Sequence, residues 1–376
     1  MNRKQSSPRF RFAFAALLLS ALLFLLPAVR SGDRRLYLLA ALVPAFMLLC
    51  CTVLARLFSL DRMALTLALF LCSLGIAAFA PADPDAAVAQ ALRCIPGMAA
   101  LLIGAVLMRS LSTSMLSAVS SAFLGLLMLS AKLLVPAFSV PLAEAGLALL
   151  LVSVASLLSG RGSGLALIPG FAALILLLTG GDITLAALWG LTFLLLIFAA
   201  DGRFLVILSA FCVTVLLFFG YSRLFPSDFH PADTVSLNTL ISAGWTGTDI
   251  LPGELPSAAA SLFPRLSLHF GLLFAGLTVL LFLPLSLRGV FIATSSRTRF
   301  HAVISMGVSL LLALQALAAL LSVFGFLPLP EVCFPFLTSS LPDLCAELFM
   351  IGMLCGISAR NEADLAEDAH LAMLAK

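Results

Sequence analysis

The stretch QALAALLSVFGFLPLPEVCFPFLTSSLPDLCAELFMIGMLCGISAR, residues 315–360, decides the fold. An apolar run ends at Phe324-Gly325. A turn containing Pro328, Pro330 and Pro335 follows. A second apolar run then passes through Met350-Ile351-Gly352 to Ile357-Ser358, where Arg360 stops it. Proline lacks an amide donor and biases its predecessor to extended geometry, so the joining segment is not helical throughout. The pattern predicts two membrane-crossing helices connected by a proline-punctuated loop.

Composition extends that reading to the whole chain. Its 376 residues are 62% hydrophobic and 10% charged, with a mean hydropathy of +1.17. Soluble domains carry about 25% charged residues, so too little polar surface remains here for a water-facing globule. The fold class is therefore an all-α polytopic membrane protein. The net charge of +3 comes without a basic run or aromatic–basic interleaving, which argues against nucleic acid as a partner. The eight cysteines lie mostly in apolar segments and form no C-x-x-C pair, so they read as core-filling thiols. Cys94 and Cys333 would pair only if the fold brought them together.

A span needs about 20 apolar residues. Twelve segments qualify: 10–28, 36–58, 63–80, 91–108, 114–136, 142–159, 164–180, 183–200, 203–221, 262–287, 300–325 and 341–358. The first follows Arg3, Lys4, Arg9 and Arg11 but lacks a good cleavage site, so it reads as an uncleaved helix. Lys132 would snorkel to an interface. The distribution of Arg and Lys places both termini in the cytoplasm, although Arg30, Arg34 and Arg35 oppose that topology at the first hairpin. The long break 222–261 then falls outside, with Thr234–Ile241 as a short surface helix. Residues 359–376 form a cytoplasmic tail, either a short amphipathic helix or disordered.

On these residues the chain resembles the SEDS family, the FtsW/RodA/SpoVE group of bacterial division, cell-shape and sporulation proteins. Gln315, Gly325, Leu327-Pro328, Pro335-Phe336, Gly352 and Ile357-Ser358 stand at the family's spacing. Where the family has S-Y-G-G-S-S, this chain has Thr338-Ser339-Ser340-Leu341-Pro342-Asp343. Upstream, Leu167-Ile168-Pro169-Gly170 resembles the family's L-Q-P-D, with Gly170 in place of Asp. Val140-Pro141-Leu142-Ala143-Glu144 resembles Q-P-S-E-L, and Leu240–Gly247 resembles L-I-A-I-G-S-G-G. The resemblance implies a family core over residues 63–358, two extra helices within residues 1–62, and a place in the bacterial cytoplasmic (inner) membrane. It also implies a role in peptidoglycan synthesis, a lipid-linked precursor as substrate and a class B penicillin-binding protein as partner.

The family's L-P-E-A-x-x-D-F motif carries an Asp regarded as essential for glycan polymerisation. Here Leu255-Pro256-Ser257-Ala258-Ala259-Ala260-Ser261-Leu262-Phe263 stands at that place, and Ser261 replaces the Asp. Glycosyl transfer needs a base for the attacking hydroxyl or a carboxylate that holds a metal. A lone serine hydroxyl does neither. Asp249 and Glu254 are substitute candidates, against the plainer reading that loop acids are simply solvated. No cofactor is expected, beyond a divalent metal if the chain is catalytic.

A charge at mid-bilayer costs about 2.5–3.5 kcal/mol on insertion scales, which singles out Glu144, Asp343 and Glu347. Asp343 and Glu347 are four residues apart and share a helix face. So do Arg265 and His269. One reading is a polar cavity that binds a lipid-linked sugar, with Arg265 on the pyrophosphate. The plainer one is interhelical pairing, for example Arg265 with Asp343, or Asp343 capping the last helix. Gln315 and Ser322 share a small-residue packing stripe, and Trp189 and Trp245 read as interface anchors. Three functions stand open: a non-catalytic SEDS-like protein of cell-wall assembly, a lipid II glycosyltransferase using another carboxylate, and a secondary transporter coupled through the three acids.

Overall fold

The computed structural model describes residues 8–111, 114–134, 142–160, 163–225, 234–248, 262–326 and 332–374. Among these every regular element is helical. They are α1 (Pro8–Ser31), α2 (Arg34–Leu57), α3 (Arg62–Ala77), α4 (Pro84–Ser110), α5 (Met115–Leu134), α6 (Ala143–Gly160) and α7 (Ser163–Thr179). Then come α8 (Ile183–Asp201), α9 (Phe204–Leu224), α10 (Thr234–Ser242), α11 (Leu262–Phe270), α12 (Leu272–Thr294), α13 (Arg299–Val323) and α14 (Leu341–Leu374). Nine helices among the described residues are long and apolar enough to cross a membrane, and α3, α5 and α7 are shorter apolar helices. Together these match the twelve expected segments, and the chain is an integral membrane protein.

The polar residues at helix starts explain several boundaries. Asp61 caps α3 by accepting from the Met63 and Ala64 amides, both at 3.0 Å. Asp83 caps α4 by accepting from Ala86 N at 3.0 Å, with Pro84 in the first turn where its missing donor costs nothing. Asp33 does the same for α2 through Arg35 N at 2.9 Å. A π-turn at Cys50–Leu54 interrupts α2.

Helix α3 is the axis of the bundle. Every residue from Ala64 to Ala77 is buried, as expected of a helix apolar all round. Helices α1, α4, α11, α12 and α14 pack around it. The most extensive helix pair is α4 with α14. Its closeness comes from glycine: a Cβ at Gly352 would lie 2.0 Å from the Leu101 carbonyl oxygen, and one at Gly356 2.4 Å from that of Ala105. Small residues let membrane helices approach to backbone contact, where dispersion rather than water exclusion holds them. Helix α9 is the opposite case. Phe204, Leu205, Leu216 and Phe219 are exposed, and only Ala210 and Thr214 of α9 are buried.

Several expectations change. The segment 262–287 is not one helix: it breaks at Gly271, whose φ of +88° no L side chain adopts without strain, so Arg265 and His269 sit on the short α11 beside the span α12. Residues 359–374 continue α14 as one helix rather than forming a separate tail element. Trp189 is no interface anchor. It is 1% exposed and donates its indole N–H to the Gly170 carbonyl at 3.0 Å. Trp245 is exposed, as an anchor would be. Cys94 is buried, Cys333 is exposed, and no disulfide joins the two. Helix α10 lies where a short helix was expected. The side chain of Lys132 lies outside the described residues.

Candidate functional site

The loop between α13 and α14 is built as a held structure over residues 332–340. Phe334, Phe336, Leu337 and Thr338 are almost completely buried. Phe336 has a φ of +65°, which for a bulky residue costs on the order of 1–3 kcal/mol and persists only where surroundings enforce it. The enforcing groups are identifiable. Glu347, fully buried in α14, accepts the Phe336 amide on Oε2 at 2.5 Å. Gly75 of α3 leaves room for the Phe336 carbonyl, which would lie 2.8 Å from a Cβ there. On α4, Gln90 Nε2 donates to the Thr338 carbonyl at 2.7 Å, and Arg93 Nη1 donates to the Ser339 carbonyl at 2.9 Å while also holding Gln90 Oε1. The Phe334 ring packs 4.2 Å from Phe263 of α11 and 6.0 Å from Phe282 of α12, centroid to centroid.

Glu144, in the first turn of α6, accepts from Gln315 Nε2 of α13 on Oε1 at 2.9 Å. Its Oε2 is buried with no hydrogen-bond partner, and so is Glu347 Oε1. Asp343 lies in the first turn of α14 and acts electrostatically on both glutamates. The fold therefore gathers the three intramembrane acids at one end of the bundle, around the loop that Glu347 holds. Each glutamate keeps one oxygen bound and one unpartnered. Among the described residues no group of three or more His, Cys, Asp and Glu side chains is arranged to hold a metal ion.

The Arg265 guanidinium on α11 lies 5.6 Å from the centroid of the Phe79 ring. His269, one turn on, has a buried Nε2 without a hydrogen-bond partner. The turn over residues 243–248 lies flush against the break after α11. Thr248 N donates to the Leu268 carbonyl at 2.8 Å and Leu272 N to that of Gly244 at 3.0 Å. Gly247, at φ +88°, faces Gly271 with no space for a side chain on either. The Gly-rich run singled out in the sequence thus serves as a backbone splint for α11. Asp249, Glu254 and Ser261 lie outside the described residues.

At the other end of the bundle a second polar cluster escaped sequence reasoning. Arg288 of α12 forms an ion pair with Asp61, donating from Nε at 3.1 Å and from Nη2. Ser358 of α14 donates to the same oxygen at 3.2 Å. The side chains are 4% (Asp61) and 14% (Arg288) exposed. Burial alone would push the Asp61 carboxyl up. The Arg288 hydrogen bond, the Ala64 amide, the Arg288 charge and the Ser358 hydroxyl outweigh it and hold Asp61 below the usual carboxylate range. An Asp before an apolar run was readable as a cap; its partners were not.

Residues 254–363 match a family model described as "Cell cycle protein", FTSW_RODA_SPOVE. An 87-residue segment is 34% identical to the "Probable peptidoglycan glycosyltransferase FtsW" of Geobacter sulfurreducens strain DL-1 / KN400, and equally to that of strain ATCC 51573 / DSM 12127 / PCA. That match spans 23% of this chain and 23% of each relative. A chain of a solved peptidoglycan synthase complex, described as coordinating polymerization and crosslinking, superposes with a TM-score of 0.63 at 18% identity, covering 81% of this chain and 98% of that one. The crystal structure of the rod shape determining protein RodA from Thermus thermophilus gives 0.58 at 17% identity, covering 80% and 97%. Likenesses at this identity establish the shared fold.

Proposed function

We propose that this chain, a divergent member of the FtsW/RodA/SpoVE (SEDS) family, takes part in bacterial cell-wall assembly by binding a lipid-linked peptidoglycan precursor or a wall-synthesis partner without polymerising glycan itself. The observation that carries the reading is the loop at 332–340. The family's Pro335-Phe336 turn is kept, in a strained conformation that α3, α4 and α14 jointly enforce, while two positions where the family has acids are Gly170 and Ser261. Strain held by so many groups marks a functional segment rather than a connector. Loss of the acids removes the base that glycosyl transfer requires.

Gly170 supports the non-catalytic part of the reading. A Cβ there would lie 2.2 Å from a Phe193 ring carbon, and the Gly170 carbonyl is held by Trp189. The space an acid would need is filled by aromatic rings. The chain has refined that position for packing.

The test uses the purified full-length chain in detergent with lipid II. The expected result is saturable binding, weakened by Glu347→Leu, with no glycan polymer on a gel, with or without a class B penicillin-binding protein. Polymer formation that is lost on Asp249→Ala or Glu254→Ala would replace this reading with a glycosyltransferase using another carboxylate.

A further inference from the structure

Arg299, at the start of α13, borders a cleft that the proposed function does not use. It lies between the ends of α8, α12 and the start of α13, has a volume of about 280 Å³, and is walled by Leu196, Ala199, Val290, Ala293, Val303 and Met306. Arg299 stands at its rim and donates to the Ala200 carbonyl on the opposite wall. Arg203 and Arg297 lie within three residues of the two partners in that bond.

We propose that this cleft seats an acyl chain of an anionic phospholipid, with the lipid phosphate on Arg299. Three features support that occupant. The walls are almost wholly apolar side chains, so a hydrocarbon chain suits them and a sugar or peptide does not. The cleft lies at the ends of three membrane spans, where headgroup meets acyl chain. Charge is complementary: an exposed guanidinium pinned across the rim offers its remaining N–H donors to a phosphate, and basic pockets between membrane helices recognise anionic headgroups this way.

Native mass spectrometry of the full chain, equilibrated with phosphatidylglycerol or with phosphatidylcholine of the same acyl chains, tests this. The wild type should retain phosphatidylglycerol preferentially. Arg299→Gln should reduce that preference about five-fold, the worth of one basic contact at a membrane surface. Ala199→Trp, at an exposed wall position, should lower retention of both lipids; Ala302→Trp on the facing wall repeats the test should the first variant fold poorly. Free glycerol phosphate, a headgroup without chains, should not compete. Equal retention of the two lipids by the wild type, unchanged retention in both tryptophan variants, or displacement by glycerol phosphate would overturn the proposal.

Discussion

Glu347 Oε2 accepts the amide of Phe336 at 2.5 Å, so a fully buried carboxyl in α14 fixes a bulky residue of the proline loop that stands in left-handed backbone. Glu347→Leu removes that acceptor and leaves the Phe336 N–H buried without a partner. The expected loss is about 1–3 kcal/mol, read as a lower unfolding temperature of the detergent-solubilised chain. Glu347→Gln retains an acceptor and should stay within about 1 kcal/mol of wild type. A Gln variant as damaged as the Leu variant would show that the charge, and not the hydrogen bond, is what the loop uses.

Asp61 serves two jobs at once, capping α3 and pairing with Arg288. Asp61→Ala would leave a nearly buried guanidinium alone, at a cost of about 3–5 kcal/mol near neutral pH. The double variant Asp61→Ala with Arg288→Met should recover most of that loss. The pH dependence follows from the depressed carboxyl of the folded state. Its stabilisation is complete above the unfolded value of about 3.9 and is lost as pH falls from there through the lower folded value. The stability gap between wild type and Asp61→Ala should therefore be flat near neutrality and close only on strong acidification. A gap that shrinks between neutral pH and about 5 would contradict the assigned shift.

The membrane spans were readable because burial in lipid demands long apolar runs, and α13 and α14 announced themselves between Gln315 and Ser358. The caps at Asp61 and Asp83 were also signalled by residue type and place. What stayed hidden depends on groups that leave no mark in a sequence. The partner of Glu347 is a backbone amide, and Gln90 donates to a carbonyl 248 residues away. The break at Gly271 was hidden for a related reason: hydropathy continues across it, while its close approach to the backbone of Trp245, Thr246 and Gly247 leaves no room for a side chain. Trp189 misled because an aromatic near a helix end suits an interface, while the groove above Gly170 that receives it exists only once α7 and α8 are packed.

The α4–α14 contact yields a sharp contrast between glycines. A methyl group at Gly352 would sit 2.0 Å from the Leu101 carbonyl oxygen, a backbone atom that cannot swing away. Gly352→Ala should cost about 1–3 kcal/mol or more through overpacking. Gly276 in α12 has no atom within 4 Å of its added Cβ, so Gly276→Ala should be neutral or stabilise by about 0.5–1 kcal/mol through helix propensity. Unfolding temperatures of the two variants in the same detergent decide the point; a tolerated Gly352→Ala would mean that the two helices are less tightly apposed than described.

Gly170→Asp restores the residue type of the related motif, and the outcome should be loss of stability rather than gain of activity. The new Cβ meets the Phe193 ring at 2.2 Å, and a carboxylate there would be buried among Trp189, Phe193 and Phe171. Overpacking of about 1–3 kcal/mol adds to the roughly 2.5–3.5 kcal/mol cost of an acid inside the membrane. Adding Phe193→Ala removes the steric part but not the electrostatic one, so the double variant should recover some, not all, of the loss. If Gly170→Asp folds as well as wild type and polymerises lipid II, the aromatic filling of this position is incidental, and the chain stands one substitution away from catalysis.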